Sequence, residues 1–367
     1  MSIPGLAAKL ALSTAAAAAV LLVLEGALRV LDYQPAFYLQ PDRVANGRRT
    51  LLLDCYPTNP RRYFAIDLRD AAARDRYRRI GVARVDLMVP RTPFAIERRY
   101  NSLRFRGDEI PLKKEGTLRV AIMGDSFTEG MGVNEEDAYP RVLGRVLAAD
   151  RLEVLNCGRR GYDFPALFDL FEDVLRLDPD IVVYGMVLND LDRSEALDAF
   201  DKSLNDWIME RNRMVPEGPL PEPGLLDLRL SAFVQDRFRR WRMGRDTTRW
   251  YRDLYGAANR EGWQRTQEFL REMNRRMGER GGRMLIALWP LLVDLEWEYP
   301  FADLEATITR FCLTAGIRIH PLRPAFDGHT SESLWVHPVD HHPNEVAHRL
   351  AAENLAPVVR SLASSRP

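Results

Sequence analysis

The chain has 367 residues, of which 46% are hydrophobic and 28% charged, with 52 basic side chains set against 52 acidic ones. That is enough chain to bury one large core or two modest ones, and the composition is that of a globular protein, not a disordered one. The even charge balance gives no sign of a phosphate-binding surface or of an electrostatically steered acidic substrate.

The first element is an apolar run from Leu6 to Leu24, interrupted only by Lys9, Ser13 and Thr14. A bilayer core of roughly 30 Å takes about 20 such residues as a helix. Beyond Glu25, residues Ala27, Leu28, Val30 and Leu31 can carry the helix into the interface. Residues 6–31 therefore read as an uncleaved transmembrane signal anchor. A cleaved signal peptide, with its apolar region of about 7–15 residues, and a buried soluble helix are the alternatives. Ala17-Ala18-Ala19 imitates a cleavage site but lies inside the run. The rest of the chain is expected on the outer side of the membrane, as when a long domain follows one amino-terminal anchor.

Residues 32–116 are irregular and punctuated by proline (Pro35, Pro41, Pro57, Pro60, Pro90, Pro93), with an arginine-rich stretch from Arg74 to Arg79 that reads as a solvated helix face. They are expected to pack on the main domain as a juxtamembrane segment without chemistry of its own.

From Leu118 the pattern changes. Apolar runs of strand type cover 118–123, 152–156, 180–185, 284–289 and 317–320. Between and after them, helical spacing marks 138–149, 164–175, 263–281, 304–315 and 344–362. Strands alternating with helices predict an α/β domain over 117–362, built on a parallel sheet covered on both faces. In such sheets the ligand sits beyond the carboxyl ends of the strands. Residues 191–259 interrupt the pattern and read as an inserted excursion over the site. Within it, Arg237-Phe-Arg-Arg-Trp-Arg242 fits a membrane-surface helix or a solvated helix with a few core aromatics.

Four segments fall at predicted strand ends or before the last helix. Gly124-Asp125-Ser126 would expose a serine hydroxyl on a tight turn. Asn156-Cys-Gly-Arg-Arg-Gly161 places glycines where a backbone N–H can face a ligand. Asn189-Asp190 offers a side-chain amide. Asp340-His341-His342-Pro343-Asn344 offers a base and a carboxylate to orient it, with Asn344 as a helix N-cap. Each segment alone is an ordinary turn, and their joint order is the specific signal. All six histidines lie at or beyond His320, so a histidine base must come from the end of the chain. His341 is a minor rival to His342, while His320, His329, His337 and His348 read as structural or surface residues. Cys55, Cys157 and Cys312 are widely spaced without a Cys-x-x-Cys pair, which argues against a zinc site or disulfide framework and leaves a single bridge open.

With these four segments the sequence resembles the SGNH or GDSL hydrolases, and the likeness runs from about Asn101 to Leu362. The upstream Asn101-Ser-Leu-Arg-Phe-Arg-Gly107 is similar to a lead-in of bacterial membrane-anchored members. The resemblance implies a flavodoxin-like three-layer sandwich with Ser126 as nucleophile, His342 as base and Asp340 as its carboxylate. It further implies an oxyanion hole from the Ser126 and Gly161 N–H groups and the Asn189 amide. The family's commonest spacing is Asp-x-x-His, whereas Asp340 lies two residues before His342. The activity implied is serine-dependent hydrolysis of an acyl ester through an acyl-enzyme, on an envelope glycan or lipid. O-acyl transfer of an acetyl group to a cell-surface polysaccharide and a non-catalytic binding or scaffold module stay open beside it. No metal, organic cofactor or nucleic-acid partner is implied. The expected location is a bacterial inner membrane, single-pass, with the catalytic domain periplasmic or extracytoplasmic.

Overall fold

The structure is a computed structural model that describes residues 3–30, 42–45, 51–56, 94–111, 113, 116–202, 228–337 and 340–364. The Arg74–Arg79 stretch lies outside them. The chain divides into two compact units. The smaller comprises residues 1–40, 57–93 and 205–247, and the larger comprises 41–56, 94–204 and 248–367.

In the smaller unit, helix α1 spans Ile3–Val30. Its stretch Ala8–Val30 is the one helix among the described residues long and apolar enough to cross a membrane, and that stretch is almost wholly exposed. Near its end, Glu25 accepts the backbone N–H groups of Arg229 and Leu230, at 3.0 and 2.7 Å. These are the first residues of a helix spanning Arg229–Leu254. Part of the segment expected to be an excursion is therefore a long regular helix. Phe238 and Trp241 on it are each 58% exposed, with ring centroids 5.8 Å apart, so they are not core aromatics.

The larger unit opens with three strands, β1 (Asp42–Ala45), β2 (Leu51–Tyr56) and β3 (Phe94–Arg99), paired antiparallel in that order. The sequence reading had no strands there. The central sheet follows, with β4 (Leu118–Gly124), β5 (Leu152–Gly158), β6 (Ile181–Met186), β7 (Arg283–Leu288) and β8 (Arg318–Pro321). All neighbours in it are parallel, in the order β5-β4-β6-β7-β8. Renumbered within the sheet this is 2-1-3-4-5, the flavodoxin-like order, so the expected fold is borne out.

β6 is a continuous apolar run, and β4 and β7 are apolar beyond Arg119 and Arg283, because both faces of the sheet are covered there. Ala121, Met123, Val182, Tyr184 and Ile286 face one core, shared with the helices Ala166–Leu175, Arg260–Glu279 and Ala302–Thr314. Val120, Ile122, Val183, Leu285 and Ala287 face the other, shared with the helices Tyr139–Val146 and Glu345–Ser364. Trp250 and Leu254 join the first core, so the end of the presumed excursion is part of the domain's interior. Cys157 and Cys312 are free and buried, while the Cys55 side chain lies outside the described residues.

The crossovers change direction at β4, whose neighbours are β5 on one side and β6 on the other. The crevice beyond Gly124 is thus the topological switch point, where open α/β sheets take their ligands.

Candidate active site

Ser126 is separated from β4 by Asp125 alone and begins a single helical turn, Ser126–Glu129. Asp125 caps that turn, its carboxylate accepting the Phe127 N–H at 2.9 Å. Ser126 is therefore the first residue of a helix, where backbone N–H groups have no partner within the helix. The turn ends at Gly130, whose carbonyl, with those of Glu129 and Val133, accepts hydrogen bonds from the buried Arg106 guanidinium. Arg106 thus satisfies the orphan carbonyls at the end of the Ser126–Glu129 turn. It belongs to the Asn101–Gly107 lead-in, whose own loop is held by Asn101 Oδ1 accepting from Leu103 and Phe105. The segment between the apolar helix and the sheet therefore supports the site directly.

His342 comes from the opposite end of the chain. Its Nε2 lies 2.8 Å from Ser126 Oγ, and its ring lies beside Phe127, with centroids 5.5 Å apart. It sits on a short strand Asp340–Pro343 paired with Trp335–His337. Successive side chains of a strand point to opposite faces, so His341 turns away and stacks on Trp335 at 3.8 Å. Asn344 fixes the loop from both sides. Its amide donates to the Ser333 and Trp335 carbonyls, while its oxygen caps the last helix by accepting from Val346 and Ala347. The backbone of Asp340 pairs with His337, and the Asp340 side chain lies outside the described residues.

The two remaining segments follow β5 and β6, whose ends are in register with Gly124 through Gly158 and Gly185. A Cβ on Gly158 would lie 2.2 Å from Glu129 N, so only glycine lets this strand end press against the Ser126–Glu129 turn. Gly158 N–H donates to the Asn156 side chain at 3.0 Å and is engaged there. Gly161 has φ +75°, a left-handed conformation that favours glycine, and its N–H has no partner among the described residues. Asn189 is half-buried, and its amide makes no hydrogen bond among the described residues.

Behind Asn189, Asp190 is fully buried. One of its oxygens accepts the Val187 N–H at 2.9 Å and the Tyr184 hydroxyl at 2.8 Å, which fixes the turn that presents Asn189. Burial, with the Asp125 charge nearby, pushes the Asp190 carboxyl well above the usual carboxylate range, and burial also raises Asp125.

Of the other histidines, His320 pairs with Asn354 at 2.7 Å. His348 is fully buried, accepts the Tyr139 N–H at 3.2 Å, and is held neutral by burial, which pushes it down to about 3. No group of three or more His, Cys, Asp or Glu residues among the described residues is placed to hold a metal ion. Glu129, Tyr100 and Arg106 are the residues that sequence reading missed. The visible signal was the Asn101–Gly107 segment, but its chemistry shows only in the fold.

Residues 122–350 match the model of the GDSL-like Lipase/Acylhydrolase family. Among solved structures, the chain is similar to the lipase/acylhydrolase from Enterococcus faecalis at 13% identity, covering 67% of this chain and 96% of that one, with a TM-score of 0.38. It is similar to TesA at 14% identity, covering 66% and 99%, with a TM-score of 0.39. It is also similar to a member of the lipolytic protein G-D-S-L family from Veillonella parvula DSM 2008 at 11% identity, covering 66% and 98%, with a TM-score of 0.32. No curated protein sequence matches the chain. Family membership therefore rests on the family match.

Proposed function

This chain belongs to the GDSL-like lipase/acylhydrolase family and is a serine ester hydrolase, and from that premise we propose that Ser126 is its nucleophile and His342 its base. The observation that carries the reading is the 2.8 Å contact between Ser126 Oγ and His342 Nε2, made across almost the whole length of the domain. With Nε2 unprotonated, the serine hydroxyl donates to it, and the imidazole takes the proton as the oxygen attacks the ester carbonyl.

The resulting oxyanion is stabilised by the Ser126 and Gly161 N–H groups and by the Asn189 amide. Gly161 and Asn189 carry donors that no other described group uses, and Asp190 holds the turn beneath Asn189. Collapse of the tetrahedral intermediate expels the alcohol, protonated by His342, and leaves an acyl-enzyme on Ser126. Water activated by the same imidazole then releases the acid. Asp340 is proposed as the carboxylate that orients His342.

The apolar helix Ala8–Val30 supports a membrane anchor, and with it an acyl ester of an envelope glycan or lipid as substrate, met on the outer side of the membrane. Fluorophosphonate labelling tests the nucleophile. The wild type should label and Ser126→Ala should not, and a folded wild-type protein that never labels would overturn the assignment. Product analysis with and without an acceptor sugar separates hydrolysis from acyl transfer.

A further inference from the structure

From the last residue of β5 onward the backbone donors are used up one after another until Gly161. Gly158 N–H goes to Asn156 Oδ1 at 3.0 Å, and Arg159 N–H to the Gly124 carbonyl at 2.9 Å. Arg160 N–H goes to Glu129 Oε2, also at 2.9 Å. Gly161 itself is exposed, and nothing lies within 4 Å of where its Cβ would be. Packing does not confine it, so its direction has to be set by the residue before it.

Glu129 is an unusual residue to find at that point. It is 2% exposed and is the last residue of the turn that Ser126 begins. Its second oxygen, Oε1, accepts the Tyr100 hydroxyl at 2.6 Å, with the Arg98 and Arg160 guanidinium groups at 3.7 and 3.9 Å. Its backbone carbonyl accepts from Arg106 at 3.3 Å and from Asn156 at 3.4 Å. A carboxylate buried this deeply is tolerated only when charge and hydrogen bonds surround it, and the same partners leave it no freedom to move.

We infer that Glu129 is a positioning residue, tying the Arg160 N–H to the nucleophile's own turn so that Gly161 and Ser126 are held by one rigid body. The inference rests on the Ser126 and Gly161 roles proposed above and adds what keeps them in register. Misplacing an oxyanion donor by a fraction of an ångström weakens it just where charge develops, which costs turnover more than ground-state binding.

Glu129→Gln tests this. Glutamine has the same length but no charge and only one acceptor oxygen, so its amide nitrogen faces either the Arg160 N–H or the Arg98 and Arg160 guanidinium groups, and one side of the anchorage is lost. On a short-chain ester, kcat should fall about 10–100-fold with KM changed less than about 3-fold, a large part of what a lost oxyanion donor costs. The acid limb of the pH profile should not move, because the Ser126–His342 pair is untouched. Combining Glu129→Gln with Gly161→Ala should cost little more than the worse single variant, since both act through one donor. A lowered Tm with kcat intact, or losses that multiply in the double variant, would overturn the inference.

Should Glu129→Gln fail to fold, Arg160→Pro removes the N–H and leaves the buried carboxylate in place. Unchanged kcat there would overturn the inference equally. Failure of the underlying site reading is seen separately, as absent fluorophosphonate labelling of the wild type.

Discussion

His342 Nε2 stands 2.8 Å from Ser126 Oγ. Its sequence neighbour His341 lies flat on Trp335 instead, so two adjacent histidines are divided by strand geometry between the Ser126 hydroxyl and an indole. His342→Ala should therefore lower kcat by roughly 10⁴-fold or more, as when one member of a catalytic serine–histidine unit is deleted. His341→Ala should stay within about 3-fold, because stacking on an indole is a packing contact. Steady-state hydrolysis of a chromogenic acetate ester reads both, and comparable losses in the two variants would refute the division of roles.

Asn189→Ala should reduce kcat by about 10²–10³-fold, the usual cost of one oxyanion donor, and leave thermal stability nearly unchanged. The reason is that the Asn189 amide makes no hydrogen bond among the described residues, whereas the turn beneath it is held by Asp190. A large fall in Tm would assign Asn189 to the scaffold.

Gly158→Ala should cost about 1–3 kcal/mol of stability, the range for forcing extra atoms into a packed interior. Its Cβ would collide with Glu129 N at 2.2 Å, and because that atom is backbone no rotamer change relieves the clash. The turn carrying Ser126 has to shift, so activity should fall together with the chemical-denaturation midpoint.

Acid should destabilise the protein through His348. Burial holds its folded-state value at about 3, below the ordinary 6.5, so the unfolded chain takes up the proton first. The contribution is complete above pH 6.5 and is lost as pH falls from there towards 3. His348→Gln keeps an acceptor for the Tyr139 N–H and cannot titrate. Its denaturation midpoint should decline less steeply over that range than the wild type's, and parallel declines would exclude the imidazole as the source.

The sheet was legible because a strand buried on both faces is dominated by apolar residues, and Val120–Met123 or Ile181–Met186 can be little else. The segments after those runs were legible because ligands sit at strand ends, and β4, β5 and β6 run in register at the ends that precede Ser126, Gly161 and Asn189. What stayed hidden depends on partners far off in sequence. Glu129 looks like a surface charge until Tyr100, 29 positions earlier, is found against it. Strands β2 and β3 pair across 37 intervening residues crowded with arginine and proline, and no local pattern announces such pairing. The helix Arg229–Leu254 carries charges on every face, so the apolar stripe that betrays most helices is missing.

The contact from Glu25 to the N–H groups of Arg229 and Leu230 bears on how a soluble form should be made. The residue before that helix is Leu228, which has no side-chain acceptor, so the helix borrows its cap from α1. Removing everything up to Val30 to obtain a water-soluble enzyme would also remove this cap and leave two first-turn donors to solvent. A truncated version should fray at Arg229, and Leu228→Asp, which restores a capping oxygen worth about 1 kcal/mol, is the natural companion change.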